Sequence, residues 1–313
     1  MQQLIVLNDE DVVRLLPSTD VRAALERMFI AIADGNAVQP PQTLSLFPAG
    51  GGDFITYPGI SGSDGVFGAK LSPYIPGPSG ATITAWTLLM SMETGTPLLL
   101  CDSKRLTTER TAATTAIAAD LLAEKDAKVL TIVGTGAIGL AHLRHAEKIR
   151  SWQEVRLCSP DIAKREGLPV RLDSDCPVAK FTDADTAAAG ADVVMLCTSS
   201  GTPVIDALKI PAGALVTSIS TNVGNAHEIA PDTLGRFDVY CDYRATTPTA
   251  AGEMKLATAS GQWSVDRLVG DLPELLAGRA AERSTDRPAF FRSIGLGLED
   301  IAIASALLTT ARS

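Results

Sequence analysis

The stretch "VLTIVGTGAIGLAHL", residues 129–143, constrains the fold more than any other part of this 313-residue chain. A short apolar run of strand type leads into glycines spaced G-x-G-x-x-G, and a helical pattern follows. These glycines are Gly134, Gly136 and Gly139. The first permits a tight turn, the second lets the backbone approach a pyrophosphate, and the third lets the helix pack against the sheet. The stretch therefore predicts a dinucleotide-binding turn.

The pattern differs on the two sides of this turn. Residues 38–101 are short strand-like runs broken by Pro and Gly, which indicates an antiparallel sheet. An amphipathic helix at 18–35 opens the chain, and an Ala-rich helix at 107–123 follows the short strands. Beyond it, apolar runs alternate with helical or turn-rich segments up to residue 241, as in a parallel sheet covered on both faces.

We therefore expect an α/β chain with two domains. A β-rich domain occupies 1–107, and a doubly wound domain of Rossmann type occupies 108–290. Residues 291–313, which contain the last predicted helix, are expected to join the first domain.

Composition excludes several classes of partner. The formal net charge of −9 repels phosphate backbones, so nucleic acid is not expected. No apolar run approaches the roughly 18 to 20 residues that a membrane-spanning helix needs, and the N-terminus lacks a signal-peptide pattern. We expect a cytoplasmic protein without a membrane partner. Its five cysteines form no CxxC pair and are expected to be reduced, and His142 and His145 lack a third ligand for a metal.

The strand after the glycine turn, "EVRLC", bears on the choice between the two nicotinamide cofactors. A carboxylate at its end would hold the ribose of NAD, but the chain continues with Ser159 and then Asp161. Lys164 and Arg165 follow closely and suit a 2′-phosphate, so NADP is favoured over NAD. The alternative is that Asp161 takes the ribose and the two cations belong to a solvated helix face.

Several segments together resemble the ornithine cyclodeaminase/μ-crystallin family and keep the order of its motifs. They are "GVFGAKLSPY", "METGTPLLLCDSKRLTTERTAATTAIAADLLA", "VGTGAIG", "HEIAPDTL" and "FFRSIGLGLEDIAIASALL". The family includes ornithine cyclodeaminases, ketimine and pyrroline-2-carboxylate reductases, alanine dehydrogenases and opine-type amino-acid dehydrogenases. The resemblance implies a Rossmann domain and a β-rich domain that binds the substrate and forms a homodimer.

The resemblance also implies which residues meet the substrate. Lys70 matches the family lysine, and a cation there can polarise an imine or donate a proton as hydride arrives. Arg110 matches the family arginine, whose guanidinium can hold an α-carboxylate through two parallel hydrogen bonds. Thr82 and Ile294 are implied as lining of the same pocket. Without the resemblance, the lysine and the arginine would pass for surface cations.

Cofactor contacts are expected on the glycine turn and at the ends of the parallel strands, where a doubly wound sheet binds its ligand. Beside the three glycines and the residues after "EVRLC", they are Ala137, Ile138, Thr198, Ser220, Thr221 and Ser293. Ser293 matches the family serine near the nicotinamide.

Two positions depart from the family pattern. Cyclodeaminases carry an aspartate shortly before the pair that is Glu228-Ile229 here, and this chain has Asn222 in its place. An amide cannot accept a proton or activate water as a carboxylate does. At Gln42, many members have an arginine that holds the substrate carboxylate. Gln42 is therefore either a neutral contact to the substrate or inert.

These features predict an NAD(P)H-dependent reductase of a small 2-imino acid, with pyrroline-2-carboxylate as the first example. In this prediction Arg110 orients the carboxylate, Lys70 supplies charge or a proton, and no carboxylate is at hand to drive ring closure. Three alternatives stay open. They are an ornithine cyclodeaminase, an amino-acid or opine dehydrogenase with a larger substrate, and a cofactor-dependent binding protein without catalysis.

Overall fold

The computed structural model describes residues 3–78, 80–221 and 223–313. The chain divides into two compact units, a first unit of Met1–Arg110 with Gly295–Ser313 and a second unit of Thr111–Ile294. The boundaries expected from the sequence fall after residues 107 and 290, and those of the structure fall after 110 and 294.

In the described residues, the strands and helices are distributed along the chain as follows. The strands are β1 (Ile5–Leu7), β2 (Ala37–Val38), β3 (Thr43–Leu46), β4 (Asp53–Ser61), β5 (Val66–Ile75), β6 (Thr82–Ile83), β7 (Trp86–Ser91), β8 (Pro97–Asp102), β9 (Val129–Val133), β10 (Glu154–Cys158), β11 (Val178–Phe181), β12 (Val193–Leu196), β13 (Leu215–Ser218), β14 (Asp238–Cys241), β15 (Leu268–Asp271) and β16 (Ala289–Arg292). The helices are α1 (Asp9–Leu15), α2 (Val21–Ala33), α3 (Lys104–Leu122), α4 (Ala137–Ala146), α5 (Ala184–Ala188), α6 (Thr247–Ala250), α7 (Gly252–Ala259), α8 (Leu272–Leu276) and α9 (Gly297–Arg312).

The first unit is built on a mainly antiparallel sheet in the order β1-β8-β7-β5-β4-β2, with β3 beside β4 and β6 beside β5. The C-terminal helix α9 packs on β4, β5 and α2. A Cβ atom at Gly59 of β4 would lie 2.7 Å from Cα of Leu298, so glycine lets this helix lie directly on the strand. The expected amphipathic helix is α2, but it does not open the chain, because β1 and α1 precede it.

The second unit is a parallel sheet in the order β11-β10-β9-β12-β13-β16-β14-β15. Its first five strands follow the 3-2-1-4-5 order of dinucleotide-binding folds, counted from β9. All residues of β12 and β13 are buried, as expected of parallel strands that are covered on both faces. The predicted fold class, a Rossmann-type sheet with a second β-rich domain, is confirmed. Within the described part of the chain, no helix is both long and apolar enough to span a membrane.

Candidate active site

Lys70 lies on β5 with its side chain on the buried face of the sheet and is only 2% exposed. Tyr57 of β4 is its neighbour across the ladder, and Nζ of Lys70 lies 4.1 Å from the centre of the tyrosine ring. Nζ donates to Oγ1 of Thr107 at 3.2 Å and lies 2.7 Å from Oδ2 of Asp300. These contacts show that Lys70 is not a solvated surface lysine.

Arg110 of α3 is buried in the same unit as Lys70. Its Nη1 donates to Oε2 of Glu299 at 3.0 Å, and its Nε lies 3.5 Å from Oδ1 of Asp300. Gly295, at a φ of +77°, lies directly against the guanidinium, because a Cβ there would be 2.0 Å from Nη1. Nε2 of Gln42 donates to the carbonyl of Gly295 at 2.9 Å. The structure thus brings Lys70, Arg110 and Gln42 to the first turn of α9.

Two acids in that first turn, Glu299 and Asp300, complete the cluster, and both are fully buried. These two acids are not among the residues that the sequence analysis assigns to the site. The sequence did carry a signal for them. Two consecutive acids interrupt the apolar pattern of "GLGLEDIAIASALL", and a charge is buried only when a partner compensates for the lost solvation.

The two cations differ in their acidity. Burial lowers the pKa of Lys70 to about 8, although the carboxylate of Asp300 opposes this, and the positive charge of Arg110 adds to it. Burial also disfavours the charged form of Arg110, but Asp300 and Glu299 outweigh it and raise the pKa of the guanidinium. Lys70 can thus exchange a proton near neutral pH, whereas Arg110 is a permanent charge.

The remaining residues predicted for the substrate lie as follows. Thr82 is exposed in β6, opposite Ile75, whereas the cluster around Lys70 is buried. The backbone N–H of Ile294 donates to Oδ2 of Asp242 at 2.7 Å in the second unit. Asn222 lies outside the described residues.

The glycine turn of the second unit has the local geometry that its spacing predicts. Gly134 has a φ of +112°, and a Cβ there would lie 2.5 Å from the carbonyl oxygen of Cys197. A Cβ at Gly139 would lie 2.0 Å from the carbonyl oxygen of Gly134, so this glycine lets the helix pack onto the turn. At Gly136 a Cβ would meet nothing within 4 Å.

The open space at Gly136 tests whether a dinucleotide fits. Gly136 is the exposed N-cap of α4, and it has no side chain to cap the first N–H groups of this ten-residue helix. Ala137 is exposed and Ile138 half-buried just beyond it. An accessible helix start with unobstructed backbone matches what a pyrophosphate needs, so these residues fit a dinucleotide.

The residues after β10 form a small polar group. The hydroxyl of Ser159 donates to the carboxylate of Asp161, and Nη2 of Arg165 lies 3.0 Å from Oδ2 of the same aspartate. The Ser159 hydroxyl and then Arg165 lower the pKa of Asp161, so it is ionised. Lys164 and Arg165 are exposed. The acid that could hold a ribose is therefore already paired.

The other predicted cofactor residues stand at the carboxyl ends of their strands, and two unpredicted carboxylates hold them. Thr198 and Ser220 both donate to Glu228, and the hydroxyl of Ser293 donates to Oδ2 of Asp242 at 3.0 Å. Thr221 is exposed. Sequence reasoning gave Glu228 and Asp242 no role, because an isolated acid near a strand end carries no pattern of its own.

A family model matches residues 2–313, practically the whole chain, and its description is "Ornithine cyclodeaminase/mu-crystallin family". The chain belongs to this family. The membership that the motifs predicted is thereby confirmed.

Among relatives in this family, the "NAD(P)H-dependent anabolic L-arginine dehydrogenase DauB" of Pseudomonas aeruginosa is 49% identical over 303 residues, which cover 97% of this chain and 96% of the relative. The solved structure of a probable ornithine cyclodeaminase from Bordetella pertussis is 28% identical, with a TM-score of 0.85 over 99% and 98% of the two chains. A Thermococcus litoralis Delta(1)-pyrroline-2-carboxylate reductase, solved with NADH and L-proline, has a TM-score of 0.89 over 98% and 97% of the chains. At 23% identity, this last likeness concerns the fold alone.

Several relatives in this family are named as dehydrogenases or reductases of amino and imino acids. The prediction that this member is an NAD(P)-dependent oxidoreductase acting on C=N or CH–NH bonds is therefore confirmed at that level. Its substrate, its preference between the two cofactors and its oligomeric state are matters of proposal.

Proposed function

We propose that this family member is an NAD(P)H-dependent dehydrogenase that interconverts a 2-imino acid and the corresponding L-amino acid. The observation that carries the proposal is the buried cluster in which Lys70 and Arg110 meet Asp300 and Glu299. It combines a fixed cation for a carboxylate with a neighbouring acid of pKa about 8. The nicotinamide cofactor, when bound, supplies or accepts the hydride.

Each residue of the cluster has a distinct part in this proposal. Arg110 holds the α-carboxylate and so fixes the position of the adjacent C=N carbon. Lys70 gives its proton to the nitrogen as the carbon gains the hydride, and solvent then restores the ammonium. Asp300 holds Lys70 in place and favours its protonated form. In the oxidative direction Lys70 takes the proton back.

The substrate we propose has a long, cationic side chain, as L-arginine does. The full-length relative at 49% identity is named for that amino acid. Gln42, where many members have an arginine, fits this choice because it adds no further cation beside Arg110 that would repel a positive side chain. The imine of such a substrate forms from the 2-oxo acid and ammonia with loss of water.

The test follows loss of NADPH absorbance with a panel of substrates. We expect the fastest turnover with the 2-oxo analogue of arginine plus ammonium. Slower turnover is expected with pyrroline-2-carboxylate, piperideine-2-carboxylate, or pyruvate with ammonium or methylamine. If kcat/KM is higher for pyrroline-2-carboxylate than for the 2-oxo analogue of arginine with ammonium, the proposed cationic side chain is wrong. The small cyclic imine is then the substrate. Ammonia release from ornithine without added reductant would instead identify a cyclodeaminase.

For the cofactor, we propose a preference for NADPH. Lys164 and Arg165 are exposed after β10 and can meet a 2′-phosphate, and the Ser159 hydroxyl can donate to it in place of Asp161. The negative charge of Asp161 is paired with Arg165, so Asp161 is less available to bind the ribose of NAD. The glycine turn, Thr198, Ser220, Thr221 and Ser293 would hold the rest of the dinucleotide.

For the assembly, we propose a homodimer formed through the face of the first sheet that lies opposite Lys70. Phe67 and Leu71 of β5 alternate with the buried Lys70 and are 38% and 47% exposed. Register sets Leu71 opposite Trp86 and Ala69 opposite Leu88, so that exposed apolar side chains of neighbouring strands adjoin. An apolar face of this kind indicates an interaction surface. A second copy of the chain would cover the same face on both partners.

We also propose that the protein works in the cytoplasm. All five cysteines are buried and unpaired. Thiols without disulfides are typical of proteins kept in a reducing compartment.

A further inference from the structure

Glu228 is a fully buried carboxylate in the second unit, and donors surround it. Among the described residues, Oε1 accepts hydrogen bonds from the backbone N–H of Thr198 at 2.8 Å and from its hydroxyl at 2.7 Å. Oε2 accepts from the hydroxyl of Ser218 at 2.8 Å and from the N–H groups of Ile219 and Ser220 at 3.0 and 3.1 Å. Five donors saturate the four or so lone-pair positions of a carboxylate.

The donors belong to two segments far apart in sequence. Thr198 follows β12, and the other donors lie at the end of β13 or directly after it. These two strands are parallel neighbours in the sheet, so Glu228 joins the carboxyl ends of both. One side chain thereby fixes the relative position of the two loops that leave this edge.

Arg292 extends the connection to the next strand. It ends β16, which pairs with β13, and its Nη1 donates to the hydroxyl of Ser218 at 3.1 Å. Its Nη2 donates to the carbonyls of Ser220 and Ala226. The chain passes from Arg292 directly to Ser293, so the same network holds the ends of β12, β13 and β16 in register.

The location of the network formed by Glu228 and Arg292 indicates what it does for cofactor binding. In a doubly wound sheet the dinucleotide lies across the carboxyl ends of the strands, on both sides of the glycine turn after the first strand. The adenosine ribose is met beside β10, on one side of β9, whereas Glu228 acts on β12 and β13, on the other side. That other side receives the nicotinamide half.

We infer that Glu228 is a positioning residue that holds the loops after β12 and β13 in the shape that binds the nicotinamide half of the cofactor. This inference rests on the proposed dinucleotide binding but not on the proposed imino acid. A purely structural role needs no such arrangement, because buried charged groups can be replaced by apolar packing without loss of stability. Here both oxygens face backbone and hydroxyl donors of the loops themselves.

The test compares Glu228→Gln with Glu253→Gln. Glu253 is an equally buried carboxylate, and its Oε1 lies 3.0 Å from Nε of Arg292. An amide at position 228 keeps the size of the side chain but turns an NH₂ group toward N–H and hydroxyl donors, so two or three of the five hydrogen bonds are lost. Glu253→Gln removes a buried charge without placing an NH₂ group against either loop.

Binding of NADPH is measured by its fluorescence and compared with binding of adenosine 2′,5′-bisphosphate, which carries the adenosine half alone. For Glu228→Gln we expect the Kd for NADPH to rise at least tenfold and kcat to fall, with the Kd for the adenosine probe within about twofold of wild type. Glu253→Gln should lower Tm without changing the ratio of the two Kd values. If Glu228→Gln does not fold, Ser218→Ala should raise the Kd for NADPH selectively and to a smaller extent.

Equal NADPH affinity and kcat in Glu228→Gln and wild type would overturn the inference, and so would an equal loss for both probes. The proposed reaction is tested separately, by assaying imino-acid reduction by the wild-type protein. A wild-type protein that binds NADPH but reduces no imino acid contradicts the proposed function and leaves the role of Glu228 standing. A wild type that binds no nicotinamide dinucleotide contradicts both.

Discussion

Nζ of Lys70 lies 2.7 Å from Oδ2 of Asp300, and the two side chains are 2% and 0% exposed. Such a pair is held out of water, where its mutual attraction is strong and the removal of either partner leaves a buried charge without compensation. The pKa of Lys70 is about 8 because burial lowers it more than Asp300 raises it. The acidity of this lysine therefore depends directly on its neighbours.

The pH dependence of the reaction should follow the titration of Lys70. Reduction needs Lys70 protonated, so kcat/KM for a preformed cyclic imine is expected to fall as pH rises through about 8. Oxidation of the amino acid needs Lys70 as the neutral amine, so kcat/KM for oxidation should rise as pH rises through about 8. Rate profiles in both directions check this. Profiles that are flat between pH 6 and 10 would remove Lys70 from the proton transfer.

Asp300→Asn should move that profile. Without the carboxylate, burial and Arg110 act on Lys70 against Glu299 alone, so the pKa of Lys70 falls and the alkaline limb of the reduction profile moves down by about one pH unit or more. Glu299→Gln is the matched control, because Glu299 bonds to Arg110 and acts on Lys70 only at longer range. Its profile should shift less. Identical shifts in the two variants would show that overall charge, and not the direct pair, sets the acidity.

Arg110→Ala should abolish most of the activity. Loss of a desolvated charge pair with the substrate carboxylate corresponds to about 2 to 5 kcal/mol, or a fall in kcat/KM of roughly 30-fold to several thousand-fold. Arg110→Lys retains the charge but not the planar pair of donors and should lie in between. NADPH binding, measured separately, should persist in both variants, because the glycine turn belongs to the second unit. Activity within threefold of wild type in Arg110→Ala would refute the role of the guanidinium.

Gly136 and Gly139 of the glycine turn should respond differently to substitution by alanine. Gly136→Ala places a methyl group where nothing lies within 4 Å, so Tm should stay close to wild type while the Kd for NADPH rises about tenfold or more. Gly139→Ala places a methyl group 2.0 Å from the carbonyl oxygen of Gly134, so helix α4 must shift and Tm should fall. Thermal denaturation and NADPH titration together separate these effects. Unchanged NADPH affinity in Gly136→Ala would argue against a pyrophosphate at this turn.

Cofactor preference should change with the group after β10. Arg165→Ala removes a partner of the 2′-phosphate and releases Asp161 to bind a ribose, so the ratio of kcat/KM for NADPH to that for NADH should fall roughly tenfold. Asp161→Asn should raise this ratio, because it frees Arg165 and removes the competing acid. A change of this ratio in the same direction in both variants would contradict the proposal that Arg165 meets the 2′-phosphate and Asp161 opposes it.

The sequence was sufficient for the fold class because its signals are local. The glycine spacing and the short apolar runs each lie within about ten residues, the range over which periodicity is readable. The same limit explains what was missed. β1 and β15 have three and four residues, too few to show a period, so the amphipathic pattern of α2 is the first one that the sequence makes readable.

The site could be predicted only in part for a related reason. Lys70 and Arg110 were named through the family resemblance, since one lysine in a strand and one arginine in a helix have no chemical signature alone. Their partners are remote, and 189 residues separate Arg110 from Glu299. No local pattern reports a pairing over that distance. Only the fold shows that the acids of α9 and the cations of β5 and α3 share one buried cluster.

The apolar sheet face should control assembly. Leu88 of β7 is 39% exposed on this face, and Leu88→Glu would place a charge within the proposed dimer interface. A charge buried there without a partner should raise the dissociation constant of the dimer roughly 100-fold or more. Sedimentation of wild type is expected to show a dimer, and that of Leu88→Glu a monomer. Leu208→Glu is the control, because Leu208 is a 60% exposed leucine that belongs to the second unit and not to this sheet. A wild type that sediments as a monomer at micromolar concentration, or an equal effect of both substitutions, would show that the face does not join two copies of the chain.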